Sequence, residues 1–404
     1  MSLLTVMAGA AIAPALGVIK GHFSQAPDIL IQLIVSIPAL FIILTSLVFP
    51  ALSRKFDTRV LAVSGLVMYV VFGTGAFFAS SLGGLLAMRA MLGISVGLIM
   101  PLSTGLLSYY YSPEEQAGLM GLSAAMNQMG GVVATLLAGL LANIQWNYGF
   151  LVYLLGLVAV VLVVLFLPAD HIGKPLIREE DIPEDKRRLS RKAERSVHPE
   201  DGTVPIPNGF FARVKRFHPS VVGMLLVMVI FFVFPTNFAI AAHSGTSLGN
   251  NEITIIMVAL DVVAFLVGLV FGAMMNALPR AMKYLSPVFF FLGYLLYCLF
   301  PSVGGYIAGS VLIGIANGIG VPYLNTIASI KAGRQAATTV MPLLSMALYL
   351  GQFISPLVVT PLGRWLFGDR GASAPFMVAC LFSVVFLFQV YSTRHFQSLP
   401  PKSR

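Results

Sequence analysis

Two ionisable side chains stand where a charge has no ordinary place. Arg89 lies in LAMRAMLG (86–93) and is the only ionised side chain between Val60 and Pro113. Asp261 lies in IIMVALDVVAFLVG (255–268), a stretch with no other charge. A charge inside an apolar span costs about 2.5–3.5 kcal/mol on insertion scales, so such residues face a bundle interior or a cavity and mark ion or substrate pathways. Asp261 can take up a proton or bind a cationic group. Arg89 can tune that acid or bind an anionic group. An acid whose surroundings change with conformation releases and recovers a proton as the protein moves, the requirement for coupling transport to a proton gradient. The competing structural reading is a fixed ion pair, or an Arg89 satisfied by carbonyls of its own bundle.

Polar side chains in otherwise apolar runs are candidates to line the same path: Gln32, Asn127, Gln128, Asn237, Asn317, Asn325 and Gln352. Each could equally make a helix-to-helix hydrogen bond, worth on the order of 0.6 kcal/mol. Pro235, in FVFPTNFAI, is expected to interrupt its helix and to free backbone groups for Thr236, Asn237 or a substrate. Glu252, near the outer start of its helix, is a secondary candidate against the reading of a solvated loop residue, and Asp28 reads as a helix-start acid that complements the helix dipole. No histidine lies deep in a span, His243 being near one end, so a metal site is poorly supported. The 18 methionines and 29 phenylalanines suit an adaptable apolar pocket.

The elements that must hold these residues follow from composition. The chain has 404 residues, 57% of them hydrophobic and 10% charged, with mean hydropathy +0.89. A soluble chain would carry about a quarter charged residues. Twelve stretches reach spanning length, near 2–19, 29–51, 60–79, 83–110, 117–142, 148–167, 219–242, 253–275, 284–300, 303–330, 336–362 and 373–393. They lack the alternation of a transmembrane barrel, so the fold class is an all-α polytopic membrane protein with twelve transmembrane helices. The first run, SLLTVMAGAAIAPALGVI, has no basic segment before it and full spanning length, and reads as a retained helix rather than a signal peptide. Cys298 and Cys380 both lie in apolar runs, which indicates neither a disulfide framework nor a zinc site.

With the N-terminus inside, 21 of the 25 Lys and Arg residues fall in cytoplasmic segments. This is a strong positive-inside pattern for two cytoplasmic termini in a bacterial-type plasma membrane. The net charge of +9 is therefore a matter of loops facing lipid headgroups and does not point to nucleic acid. One long polar stretch, 168–218, separates an N-terminal six-helix bundle (1–167) from a C-terminal one (219–404). The halves repeat each other. MLGISVGLIMPL (91–102) returns as LIGIANGIGVPYL (312–324), aligning Gly93 with Gly314, Gly97 with Gly318 and Pro101 with Pro322. Gly130 similarly aligns with Gly351. The glycine pairs let helix backbones approach closely, and a six-helix repeat is the mark of a transporter built around a midplane site.

On these residues the chain resembles the major facilitator superfamily, and within it the twelve-helix drug:proton antiporter-like branch. Arg89 and Gly93 match that branch's helix-4 motif, an Arg followed four residues later by Gly. The loop PALSRKFDTR (50–59) occupies the place of the superfamily signature. It keeps Leu52 and basic residues at 55 and 59, but has Pro50, Arg54 and Asp57 where the signature has Gly, Asp and Gly. NQMGGVVATLLAGLL (127–141) has the helix-5 glycines Gly130 and Gly131 without the antiporter proline. The resemblance implies two pseudo-symmetric bundles, a small amphipathic organic substrate, proton-coupled efflux by alternating access, and a monomer without a cofactor. A facilitator or solute importer on the same fold is the alternative. No Walker motif and no catalytic cluster such as H-E-x-x-H is present, so neither ATP-driven transport nor an enzyme is indicated.

Overall fold

The computed structural model describes residues 2–110, 113–167, 210–245, 248–332, 334–368 and 373–393. Among them the chain forms twelve helical rods and no strand, as expected where every backbone group must find its partner inside the segment. The first rod, α1, is split: Ser2–Ala10 and Leu16–His22 are joined by a 3₁₀ turn at Ala13–Ala15. The others in the first half are α2 (Asp28–Lys55), α3 (Thr58–Gly75), α4 (Leu82–Tyr110), α5 (Pro113–Leu141) and α6, which starts as a 3₁₀ stretch (Tyr148–Leu155) and continues as Gly156–Phe166. The second half holds α7 (Phe210–Gly245), α8 (Asn250–Ala277), α9 (Met282–Leu299), α10 (Val303–Ala332), α11 (Arg334–Phe367) and α12 (Ala374–Ser392). Among the described residues eleven stretches are long and apolar enough to cross a membrane, and a shorter apolar one, Met129–Ala142, covers the end of α5.

The chain is therefore a multi-pass membrane protein with the expected twelve helices. Two expectations differ in detail. Helix α7 begins at Phe210 and so takes in 210–218, the end of the polar stretch read above as separating the bundles; Phe217 is buried while Lys215 and Arg216 are exposed, so this part of the helix is amphipathic. The rest of that linker, 168–209, lies outside the described residues. Pro235 does not break α7, which runs through it without interruption. The proline deprives the Phe231 carbonyl of its donor, and the Tyr294 hydroxyl approaches both Ile230 O (2.6 Å) and Phe231 O (3.4 Å) in compensation. The true interruption is in α1, at Pro14.

The repeat read from sequence is a repeat of packing. A β-carbon on Gly93 would strike the Pro38 carbonyl and Phe41 of α2, and one on Gly97 would lie 3.0 Å from Ile42 O. In the second half, a β-carbon on Gly314 would lie 2.8 Å from Leu260 O, and one on Gly318 2.7 Å from Ala264 O of α8. Gly130 sits on the Leu3 carbonyl of α1, and Gly351 on Leu225 O of α7. Helix pairs α2/α4 and α8/α10 thus meet backbone to backbone in the same way, as do α1/α5 and α7/α11. Pro101 and Pro322 lie within α4 and α10 without ending them. Helices α3, α6, α9 and α12 are peripheral and turn side chains such as Val71, Phe166 and Phe388 outward, where hydrocarbon is their natural solvent.

The two bundles, α1–α6 and α7–α12, meet along α2/α11, α5/α8 and α1/α7. One end of the molecule carries the N-terminus and the α2/α3, α8/α9 and α10/α11 turns, with Lys55, Arg59, Arg280, Lys283 and Lys331. We call this the basic end and the opposite one the far end.

Candidate functional site

Arg89 is 1% exposed. Its Nε donates to Ile34 O at 2.6 Å, Nη1 to the Tyr153 hydroxyl at 2.5 Å, and Nη2 to Ala8 O. The acceptors explain the arrangement. Ile34 O would bond the amide four residues on, but that residue is Pro38, which has no N–H. Ala8 O would bond Ile12, which lies beyond the end of the first α1 segment. Two carbonyls orphaned by local sequence therefore converge on one guanidinium, whose fixed fork matches several acceptors at once. The 3₁₀ turn that Arg89 supports touches α5, α7 and α8, so this staple sets where α1 meets the second bundle.

Asp261 stands on a different surface. It lies eleven residues from the start of α8 at Asn250, about 16 Å along the helix. The carboxyl is partly buried, and Oδ2 accepts the Thr135 hydroxyl of α5 at 3.2 Å, across the seam between the bundles. Among the described residues Thr135 is its one hydrogen-bond partner, and no ion pair joins Asp261 to Arg89. The two deep charges thus belong to separate arrangements, one inside the first bundle and one at the junction.

The polar candidates divide in the same way. Gln32 (α2), Asn237 (α7) and Thr360 (α11) form one buried network: Gln32 Nε2 donates to Asn237 Oδ1 at 2.8 Å, and the Thr360 hydroxyl donates to Gln32 Oε1 at 2.7 Å. Gln352 Nε2 lies 3.4 Å from Val35 O of α2, another crossing between bundles. Asn127 stays within the first bundle, accepting the Thr5 hydroxyl at 2.8 Å. Asn317 and Asn325 are partly buried on α10, Asn317 with its amide oxygen unpartnered and Asn325 without a hydrogen bond among the described residues. The side chain of Gln128 lies outside the described residues.

Above the Gln32–Asn237–Thr360 network, a cavity of about 610 Å³ reaches the far end. Its wall carries Lys20, Asp28, His243 and Arg364. Asp28 is more than a helix-start acid: it pairs with Lys20 at 2.9 Å in its own bundle and with Arg364 at 3.2 Å in the other. Sequence reading missed Thr135, Tyr153, Thr360 and Arg364 as partners. A hydroxyl in a span carries no distinctive pattern, and Arg364 looked like an ordinary loop cation. Among the described residues most of the hydrogen bonds that cross between bundles, and the ion pair, lie toward the far end; a contact of the Tyr349 hydroxyl of α11 with Met100 Sδ of α4 at 3.2 Å lies nearer the basic end. Beneath the cavity the far-end contacts hold the two bundles together, so the far half of the seam is closed in this conformation.

A family model described as Major Facilitator Superfamily matches residues 1–356. Among solved structures, the chain is similar to a bacterial homolog of the human lysosomal transporter Spinster in its inward-facing, unoccupied conformation (TM-score 0.74, 17% identity, 99% of this chain and 96% of that one). It is likewise similar to the nucleoside transporter NupG (0.70, 12% identity, 96% and 97%) and to a D-xylose-proton symporter (0.66, 13% identity, 98% and 97%). At these identities the likeness is one of fold. The match of the family model over most of the chain, with twelve helices in two repeated bundles meeting at a polar seam, places this protein in the Major Facilitator Superfamily of membrane transporters.

Proposed function

We propose that this chain is a proton-coupled secondary transporter that exports small amphipathic organic molecules across a bacterial-type plasma membrane, as a monomer, by rocking its two bundles. The basic end and the linker face the cytoplasm, in keeping with the excess of Lys and Arg there. Asp261 is the proton site. The observation that carries this reading is its place: a lone carboxyl on the seam between bundles, held by a hydroxyl from the opposite bundle. A titratable group there feels every rocking movement, whereas one inside a bundle does not. Gln32, Asn237 and Gln352 line the closed far half of the same path. In this reading Arg89 serves by fixing the break in α1 against the second bundle. Export rather than import rests on the helix-4 resemblance, LAMRAMLG.

The test is efflux of cationic, neutral and anionic dyes from pump-deficient cells, comparing wild type with Asp261→Asn, each with and without a protonophore. Loss of efflux under both treatments supports the proposal. Protonophore-sensitive efflux that survives in Asp261→Asn removes Asp261 from the mechanism. An expressed wild type that moves none of the dyes outward selects the facilitator or importer reading, to be pursued with a metabolite panel.

A further inference from the structure

The α5/α8 seam is a ladder. In the first bundle the participants are Thr135 and Gly139, one turn apart on α5, and Asn143 in the turn that follows that helix; on α8 they are Asp261, Thr254 and Asn250, spaced by two turns and then one, so they share a helix face. Thr135 meets Asp261. Gly139 receives the Thr254 side chain against its backbone, and its carbonyl accepts Asn250 Nδ2 at 2.8 Å. Asn143 donates to Asn251 Oδ1 at 2.5 Å and accepts from Asn250 at 3.2 Å. The ladder closes the far half of the seam, and its innermost rung is the carboxyl.

We propose that Thr135 is the positioning residue that ties the proton on Asp261 to the position of the bundles, an inference that rests on the proton-site reading above. Thr135 belongs to the first bundle and Asp261 to the second, so opening the far end withdraws the hydroxyl from the carboxyl. A hydrogen bond donated to a carboxylate favours its charged form. The closed far end supplies that donor and the open far end does not. Asp261 therefore captures its proton when the far end is open and gives it up as the ladder re-forms. The withdrawn hydroxyl is not orphaned, because a helical threonine can turn to a carbonyl of its own preceding turn. The rung is thus made and broken at little cost.

Other ionisable groups on the elements packed against α8 do not substitute for this contact. They are Lys20 and His22 on α1, Lys215, Arg216, His218 and His243 on α7, Tyr306, Tyr323 and Lys331 on α10, and Glu252 on α8 itself; among the described residues none is a hydrogen-bond or ion-pair partner of Asp261. The α5 acids Glu114 and Glu115 stand in its first turn, at the basic end.

The experiment is an infrared pH titration of the purified full chain, reading the protonated-carboxyl band that is absent from Asp261→Asn. Thr135→Val is expected to displace the midpoint of that band by about one pH unit to the alkaline side, the scale of one hydrogen bond to a charged group. Thr135→Ser should return it. A second measurement avoids altering the rung: a disulfide between Asn143→Cys and Asn251→Cys holds the far end closed, and its oxidised form should titrate at lower pH than its reduced form. Equal midpoints in folded Thr135→Val and wild type, or in the oxidised and reduced pair, would overturn the proposal. Proton-driven transport surviving in Asp261→Asn would instead overturn the proton-site reading, whatever Thr135 does.

Discussion

Replacing Arg89 by Lys separates two roles that the sequence leaves joined. Lys keeps the charge and loses the fork. The guanidinium makes three hydrogen bonds, to Ile34 O, Ala8 O and the Tyr153 hydroxyl. An ammonium is a compact charge without the guanidinium's spread fork, so it is expected to reach one of these acceptors, which belong to three different helices, and to leave two without their donor. Interhelical hydrogen bonds in membranes average about 0.6 kcal/mol and reach about 1.7, and a buried unpaired acceptor costs about 1–3 kcal/mol. Two lost acceptors therefore amount to a stability loss of about 2–4 kcal/mol for Arg89→Lys. Arg89→Met loses all three bonds but also relieves the buried charge, so its loss should be no greater. The assay is thermal unfolding of the purified protein with a thiol-reactive dye that reports exposure of the native Cys298 and Cys380. Both variants should unfold several degrees below wild type, with Lys no better than Met. An Arg89→Lys protein that unfolds with wild type yet has lost transport would refute the staple argument, because the charge would then be acting on proton or substrate.

Three further outcomes follow from the packing. Gly314→Ala places a β-carbon 2.8 Å from Leu260 O and 3.2 Å from the Val263 side chain, and should cost about 1–3 kcal/mol in the same unfolding assay; Gly83→Ala, with nothing within 4 Å, is the neutral control. Asp28→Asn breaks the pairs to Lys20 and Arg364 at partly exposed positions, so stability should change by less than about 1 kcal/mol. Opening of the far end should nonetheless become easier, read as faster labelling of Val35→Cys by a membrane-impermeant maleimide. Gln32→Leu removes two crossing hydrogen bonds and should lower stability by about 1–2 kcal/mol, with Asn237→Leu adding little more because the two changes remove the same contact.

Much of the site was visible one residue at a time. Arg89, Asp261, Gln32, Asn237 and Gln352 stand out because polarity in an apolar run is rare. Their grouping was not visible. Helices such as α4 and α12 are apolar on nearly every face, so no periodicity says which side of Arg89 meets a neighbour. Arg89 and Asp261 look like counterparts by depth, yet depth fixes only one coordinate of three. Pro235 was read as a break, but a long helix absorbs one missing donor when a neighbouring hydroxyl answers it; Pro14, with a turn already beginning at Ala11, could not be absorbed in the same way.

The sequence by itself determined the solvent, the number of spans, their division into two halves and the glycines on which the halves pack. These depend on composition and on short-range spacing, and a bilayer admits few forms of backbone. Tertiary structure alone decided the partners: Arg89 with carbonyls orphaned by Pro38 and by the break in α1, Asp261 with Thr135, and Asp28 with Arg364. These pairs join residues from 55 positions apart (Ile34 with Arg89) to 336 positions apart (Asp28 with Arg364).

 Contacts at such separations are set by how whole helices pack and cross, which no local pattern of residues encodes.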